Sequence, residues 1–259
     1  MSALTLNYQI QGEGQPLIIL HGLFGMLQNW GAQTKALADQ FQVISVDLRN
    51  HGRSAHADTI SYALMAADLR QLIADLGLHN VTMLGHSMGG KAAMQLACEA
   101  DSPIRRLIVA DIAPVSYPNH HSNVFAGLKS VDLQALKSRQ EADRILAAHI
   151  EEASVRAFLL TNLYRDGDRF AWRMNLDALD QQYSEISRAP ELQHPFSGPT
   201  LFIKGGNSDY IVPAYQQEIL RWFPNAGYKI IAGTGHWPHA EKPELFTGLV
   251  RRFLSDNPA

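Results

Sequence analysis

Six short apolar runs, separated by longer stretches of helical periodicity, constrain the fold of this chain more than any other feature. They cover residues 16–20 (PLIIL), 43–46 (VISV), 81–84 (VTML), 107–110 (LIVA), 200–203 (TLFI) and 228–231 (YKII). Most are apolar at successive positions, the pattern of strands covered on both faces in a parallel sheet. Helical patterns occupy 30–40, 62–76, 90–100, 214–223 and 243–254. The alternation predicts an α/β architecture with a mostly parallel, doubly wound sheet. Residues 4–11 are expected to add antiparallel strands at one edge.

One segment breaks the rhythm. Between 114 and 195 the strand signal almost disappears, helical patterns at 133–150 and 154–164 dominate, and Pro114, Pro118, Pro190, Pro195 and Pro199 punctuate the two ends. The predicted organisation is therefore a core domain of residues 1–113 and 196–259, with 114–195 inserted as a helical cap, or lid. Apolar side chains there, among them Phe125, Leu128, Phe158, Leu159, Leu163, Trp172 and Met174, either line a ligand pocket or pack the cap onto the sheet. Tyr117, Tyr183 and Tyr210 raise the same question for their hydroxyls.

A chain of 259 residues buries roughly 70–75% of its unfolded surface, so this core needs no metal or disulfide staple. Its one cysteine, Cys98, cannot form an internal disulfide, which fits a reducing compartment. The start, MSALTLNYQIQGEG, lacks a basic stretch followed by an apolar one, and no run approaches the roughly 18 apolar residues of a membrane span. A cytoplasmic protein without membrane insertion is expected. A net charge of -3 with scattered Lys and Arg gives no footprint for nucleic acid. Oligomeric state leaves no signature in the sequence.

The chemistry concentrates in LGHSMGG, residues 84–90, where Gly85-His86-Ser87-Met88-Gly89 matches G-x-S-x-G between a predicted strand and a predicted helix. Such a turn holds its central hydroxyl above the sheet edge, in front of a helix N-terminus that favours negative charge. The plainer alternative is a serine that only caps the helix. A serine nucleophile requires a base, and His236, in GTGHW just after the last predicted strand, is the candidate. His51, His56, His79, His194 and the pair His120-His121 read as polar loop histidines. That pair has no carboxylate or third histidine at metal-ligand spacing.

The acid that would orient His236 is open on these grounds. Asp111 ends LIVAD, Asp209 follows TLFIK within GGNSDYI, and both fall at the carboxyl edge of the sheet. Asp47, ending VISVD, is expected to hold its own loop, 48–54. An oxyanion hole needs two backbone N–H groups. Met88 supplies one, and the loop HGLFG supplies the other from Leu23, or alternatively Phe24.

HGLFG, DLRNHGRS, GHSMGGKA, DIAPV, GGNSDYI and AGTGHWPHAEKP, taken in that order, resemble the α/β-hydrolase family over nearly the whole chain. The first three together with DIAPV look most like the YbfF-type bacterial esterases and their eukaryotic abhydrolase relatives. The resemblance implies a helical lid, hydrolysis of a small-molecule acyl ester or thioester, and no metal or organic cofactor. The wider superfamily would place the acid at Asp209, whereas the YbfF-type subgroup implies Asp111. Serine at the elbow argues against haloalkane dehalogenases and epoxide hydrolases, which carry aspartate there. Carbon–carbon bond hydrolases, perhydrolases and a ligand receptor with little turnover are the alternatives.

Overall fold

The computed structural model describes residues 3–258. The outermost residues of the predicted core, 1–2 and 259, lie outside it. Elements follow in the order β1 (Tyr8–Gln11), β2 (Gln15–Leu20), α1 (Gly31–Leu37), β3 (Phe41–Val46), α2 (Tyr62–Asp75), β4 (Val81–His86), α3 (Met88–Ala97) and β5 (Ile104–Ala110). A long excursion carries α4 (Ser122–Ser130), α5 (Arg139–Leu146), α6 (Ala153–Leu160), β6 (Leu163–Asp166), β7 (Arg169–Trp172), α7 (Leu176–Gln181) and α8 (Tyr183–Ser187). The chain then returns through β8 (Thr200–Gly205), α9 (Gln216–Trp222), β9 (Ala226–Ile231), α10 (Pro238–Glu241) and α11 (Pro243–Asp256).

Seven strands form one sheet in the order β1-β3-β2-β4-β5-β8-β9. Every pairing is parallel except β1 with β3, so the antiparallel edge is a single strand. Alternation along β2 shows why the sheet is doubly wound. Ile18 and Leu20 join the core shared with α2 and α3, whereas Leu17 and Ile19 join Trp30, Leu37, Phe246, Val250 and Leu254 from the opposite layer. All four strand residues are buried, and each contributes roughly 1.5–3 kcal/mol by leaving water. Because β2, β4, β5, β8 and β9 run parallel, their carboxyl ends lie at one edge of the sheet.

The excursion between β5 and β8 is mostly helical, with two departures from the sequence reading. Where a helix at 154–164 was expected to reach Tyr164, α6 stops at Leu160 and the hairpin β6–β7 follows, with Leu163 opposite Trp172 and Asp166 opposite Arg169. Its two-residue loop is Gly167-Asp168, and Gly167 has φ +60. A loop of this length that matches the twist of its strands needs positive φ, and glycine supplies it. The DGD punctuation in LYRDGDRFAW was the missed signal. Likewise the expected 133–150 helix is only α5, whose start is capped by Ser138 accepting from Glu141 N–H.

Candidate active site

The loops at the carboxyl edge bring five stretches of sequence together. At the end of β4, Ser87 has φ 51 and ψ -120, a conformation that costs of order 1–3 kcal/mol outside glycine. Its neighbours explain how the turn closes. A Cβ on Gly85 would lie 2.3 Å from Gly89 O, and one on Gly89 would lie 2.5 Å from His21 O. Two glycines thus let strand, helix and the β2 loop approach to backbone contact. Ser87 sits at the N-cap of α3, yet its side chain makes no cap hydrogen bond. The plain capping alternative is therefore excluded.

Asp111 and His236 are paired. Asp111 follows β5 with φ 53, its side chain is fully buried, and its Oδ2 lies 2.8 Å from His236 Nδ1. The same carboxylate accepts the Gly205 N–H at 2.9 Å through Oδ1 and the Ser208 hydroxyl through Oδ2. Three donors converge on one carboxylate and fix His236 with Nδ1 protonated, leaving Nε2 as the basic nitrogen. Asp209 is exposed and makes no hydrogen bond or ion pair among the described residues. The structure thus pairs His236 with Asp111 and leaves Asp209 outside. Ser208 was not singled out from sequence, because nothing in GGNSDYI shows which polar side chain turns inward.

The His236 loop is itself braced. A Cβ at Gly205 would stand 1.8 Å from Gly235 O, so the bare end of β8 lets the loop cross it. His86 Nε2 donates to His236 O at 2.7 Å, and the Tyr210 ring stacks on the imidazole with centroids 3.9 Å apart. His236 and Ser87 line one cavity of about 80 Å3, together with Leu23, Phe24, Trp237 and the apolar Val124, Val155, Phe158 and Leu159. No hydrogen bond joins Ser87 Oγ to His236, as is common before substrate tightens such contacts. A second cavity of about 40 Å3 reaches Ser87 from another side and is lined by Met88, Lys91, Tyr62, Tyr117, Tyr183 and Tyr210.

Of the apolar residues expected in the 114–195 segment, Phe158 and Leu159 line the first cavity, whereas Phe125, Leu128, Leu163, Trp172 and Met174 line neither. The Tyr117 hydroxyl accepts from Ala113 N–H and donates to Tyr210 O; the Tyr183 hydroxyl bonds His121 Nδ1. Both are held by protein rather than aimed at water. Asp47 binds Arg53 N–H, Leu27 N–H and Asn7 Nδ2, holding the 48–54 loop as expected and the β2 loop as well.

Two histidines differ from the sequence reading. His51, expected as a polar loop residue, is fully buried; Nε2 accepts the Phe24 N–H at 3.2 Å and Nδ1 donates to Arg49 O. His121 is likewise drawn in against Tyr183 and Phe24. Next to His51, His21 accepts the Leu48 N–H through Nε2. Burial lowers His51 to about 3, helped by the neighbouring His21; burial alone lowers His21 to about 4 and, with His236 nearby, His239 to about 3. Protonating Nε2 of His21 or His51 would set donor against donor.

Acid should therefore unfold this protein early. Above pH 6.5 these histidines are neutral in both states and exert no linkage effect. Below it the unfolded chain alone takes up protons until about pH 3–4, so each withdraws about 1.4 kcal/mol of stability per pH unit. Thermal unfolding followed from pH 8 to 5 should show a plateau above neutrality and a steep fall in Tm below about pH 6. A flat profile to pH 5 would contradict the buried neutral histidines.

A mostly parallel sheet with a strained serine after its central strand, and a histidine–aspartate pair over the same edge, defines the hydrolase architecture. The α/β hydrolase fold family model matches residues 15–243, and the chain belongs to that family. It is 42% identical over 247 residues to the mouse (Mus musculus) sn-1-specific diacylglycerol lipase ABHD11, covering 92% of this chain and 80% of that protein. It is 39% identical to the esterase YbfF of Escherichia coli (strain K12), covering 96% of each. A solved marine microorganism esterase superposes with a TM-score of 0.95 at 40% identity, over 97% of this chain and all of that one. No helix among the described residues is long and apolar enough to cross a membrane.

Proposed function

We propose that this protein is a serine hydrolase of carboxylic esters that works through an acyl-enzyme. The observation that carries the reading is Ser87 itself, strained at φ 51 with a hydroxyl that does no capping, facing a cavity it shares with His236. Strain persists at a site when the surrounding structure requires it for work other than stability. The esterase and lipase names of whole-length relatives support the same class.

In this mechanism His236 Nε2 takes the Ser87 proton as Oγ attacks the ester carbonyl. Asp111, hydrogen-bonded to His236 Nδ1, steadies the imidazolium. The oxyanion falls to the N–H groups of Leu23 and Met88, neither of which has an acceptor among the described residues. The Phe24 N–H is given to His51, which favours Leu23 as the second donor. His236 then protonates the leaving alcohol, and water repeats the sequence on the acyl-enzyme. Thioesters share the tetrahedral intermediate and fall within the same reading. The 114–195 segment acts as the lid, with Phe158 and Leu159 over the nucleophile.

The test combines turnover with active-site labelling. Purified protein should hydrolyse p-nitrophenyl esters in a chain-length series, and a fluorophosphonate should modify Ser87 with activity lost in proportion to labelling. Undiminished turnover in fully labelled protein, or no turnover at any chain length, would sink the proposal.

A further inference from the structure

Lys91 is a charged side chain buried almost completely, and the proposed chemistry does not use it. It lies one helical turn after Ser87, its side chain is 1% exposed, and it lines the smaller of the two cavities that reach the nucleophile. Side chains on a helix tilt toward its N-terminus, which directs the ammonium back toward the elbow. Nζ donates to Ser187 O at 3.1 Å and Arg188 O at 2.7 Å, and it stands 4.8 Å and 5.5 Å from the ring centroids of Tyr117 and Tyr62. An ammonium has three donors, so one is left.

What the site lacks is an anion. No Asp or Glu lines this cavity, and Lys91 forms no ion pair among the described residues. Carbonyl dipoles and ring faces solvate the charge without neutralising it. Burial accordingly pushes the ammonium down to about 7. An unneutralised buried cation is costly unless something of opposite charge completes it. Lys91 here lines the same cavity as Ser87 and Met88.

Which part of a substrate enters follows from the general acid. His236 must reach the leaving oxygen, and it lines the larger cavity and not the smaller. The alcohol therefore belongs to the larger cavity and the acyl chain to the smaller. We propose that Lys91 makes the smaller cavity an acyl subsite for groups ending in a carboxylate, that is, for half-esters or half-thioesters of short dicarboxylic acids. Ser87 and Lys91 stand four residues apart, a helical rise of about 6 Å, which suits an acyl chain of roughly three to five carbons between Ser87 and the ammonium. The inference rests on the ester-hydrolase reading and narrows its substrate class.

Monoethyl succinate and ethyl 4-methylpentanoate test it, because they share a leaving group and nearly share a shape while differing in charge. The wild-type protein should favour the half-ester in kcat/KM by at least about tenfold, and Lys91→Met should reduce that ratio by about 30-fold or more. Carboxymethyl butyrate, with its charge on the alcohol, should show no such dependence on Lys91. A wild-type preference below tenfold, or a ratio unchanged in Lys91→Met, overturns the proposal and leaves Lys91 as a clasp between α3 and the end of α8. Should that variant not fold, boronic acids decide on the wild-type protein: 2-carboxyethylboronic acid should inhibit at least about tenfold more tightly than butylboronic acid, and equal inhibition overturns the subsite. Loss of turnover on the neutral ester as well would reject the esterase reading itself, whereas serine-dependent turnover without charge preference rejects only the role of Lys91.

Discussion

Ser87→Ala should lower kcat for any ester substrate by about 10⁵–10⁶ while leaving the fold intact. The loss is large because nucleophile, base and acid act as a unit, and without Oγ the remaining parts have nothing to activate. The fold should survive because the hydroxyl caps nothing: α3 loses no hydrogen bond, and alanine meets the same backbone strain as serine. A sharper control is Ser87→Gly. It should be equally inactive, yet it should unfold at a higher temperature, because glycine accepts φ 51 and ψ -120 without the cost that serine bears. Activity assays and thermal unfolding on the two variants separate chemistry from stability. Retained turnover in Ser87→Ala would remove the covalent mechanism.

Asp111→Asn should lower kcat by as much as ~10⁴, whereas Asp209→Asn should stay close to wild type. The carboxylate of Asp111 accepts from three donors, Gly205 N–H, the Ser208 hydroxyl and His236 Nδ1–H. An amide has only one acceptor oxygen, so at least one donor would face an NH2 group, and the imidazole would be driven toward the wrong tautomer. The buried mismatch should also reduce stability by about 1–3 kcal/mol. Asp209 is exposed and unpaired among the described residues, so its neutralisation disturbs no contact. An inactive, folded Asp209→Asn beside an active Asp111→Asn would reverse the assignment.

Much of the fold is legible in the chain because strands buried on both faces are written as unbroken apolar runs. The runs at 16–20, 43–46, 81–84, 107–110, 200–203 and 228–231 each fall inside a strand of the sheet, but the last, expected to be covered on both faces, lies in the edge strand β9 with Tyr228 and Ile230 exposed. The elbow is legible for a related reason: glycines at 85 and 89 stand where any Cβ would meet backbone. The hairpin β6–β7 was missed since two strands of four residues carry too little alternation to compete with helical periodicity around them. His51 was misjudged as a loop histidine because sequence shows that a residue lies in a loop but not whether that loop is buried.

The distinction between Asp111 and Asp209 shows where local information ends. By itself the sequence determined the alternating layers, the sheet edge at which chemistry is possible, and the serine and histidine that stand there, because each of those follows from neighbours close in the chain. Only the tertiary structure decided which of two strand-end aspartates meets His236, which serine completes the carboxylate's shell, and that Lys91 is a buried amine without a carboxylate partner among the described residues. Those contacts join residues 125, 97 and 96 positions apart. Their partners are chosen by how β5, β8 and the return from α8 pack side by side, and no pattern within a single segment encodes that packing.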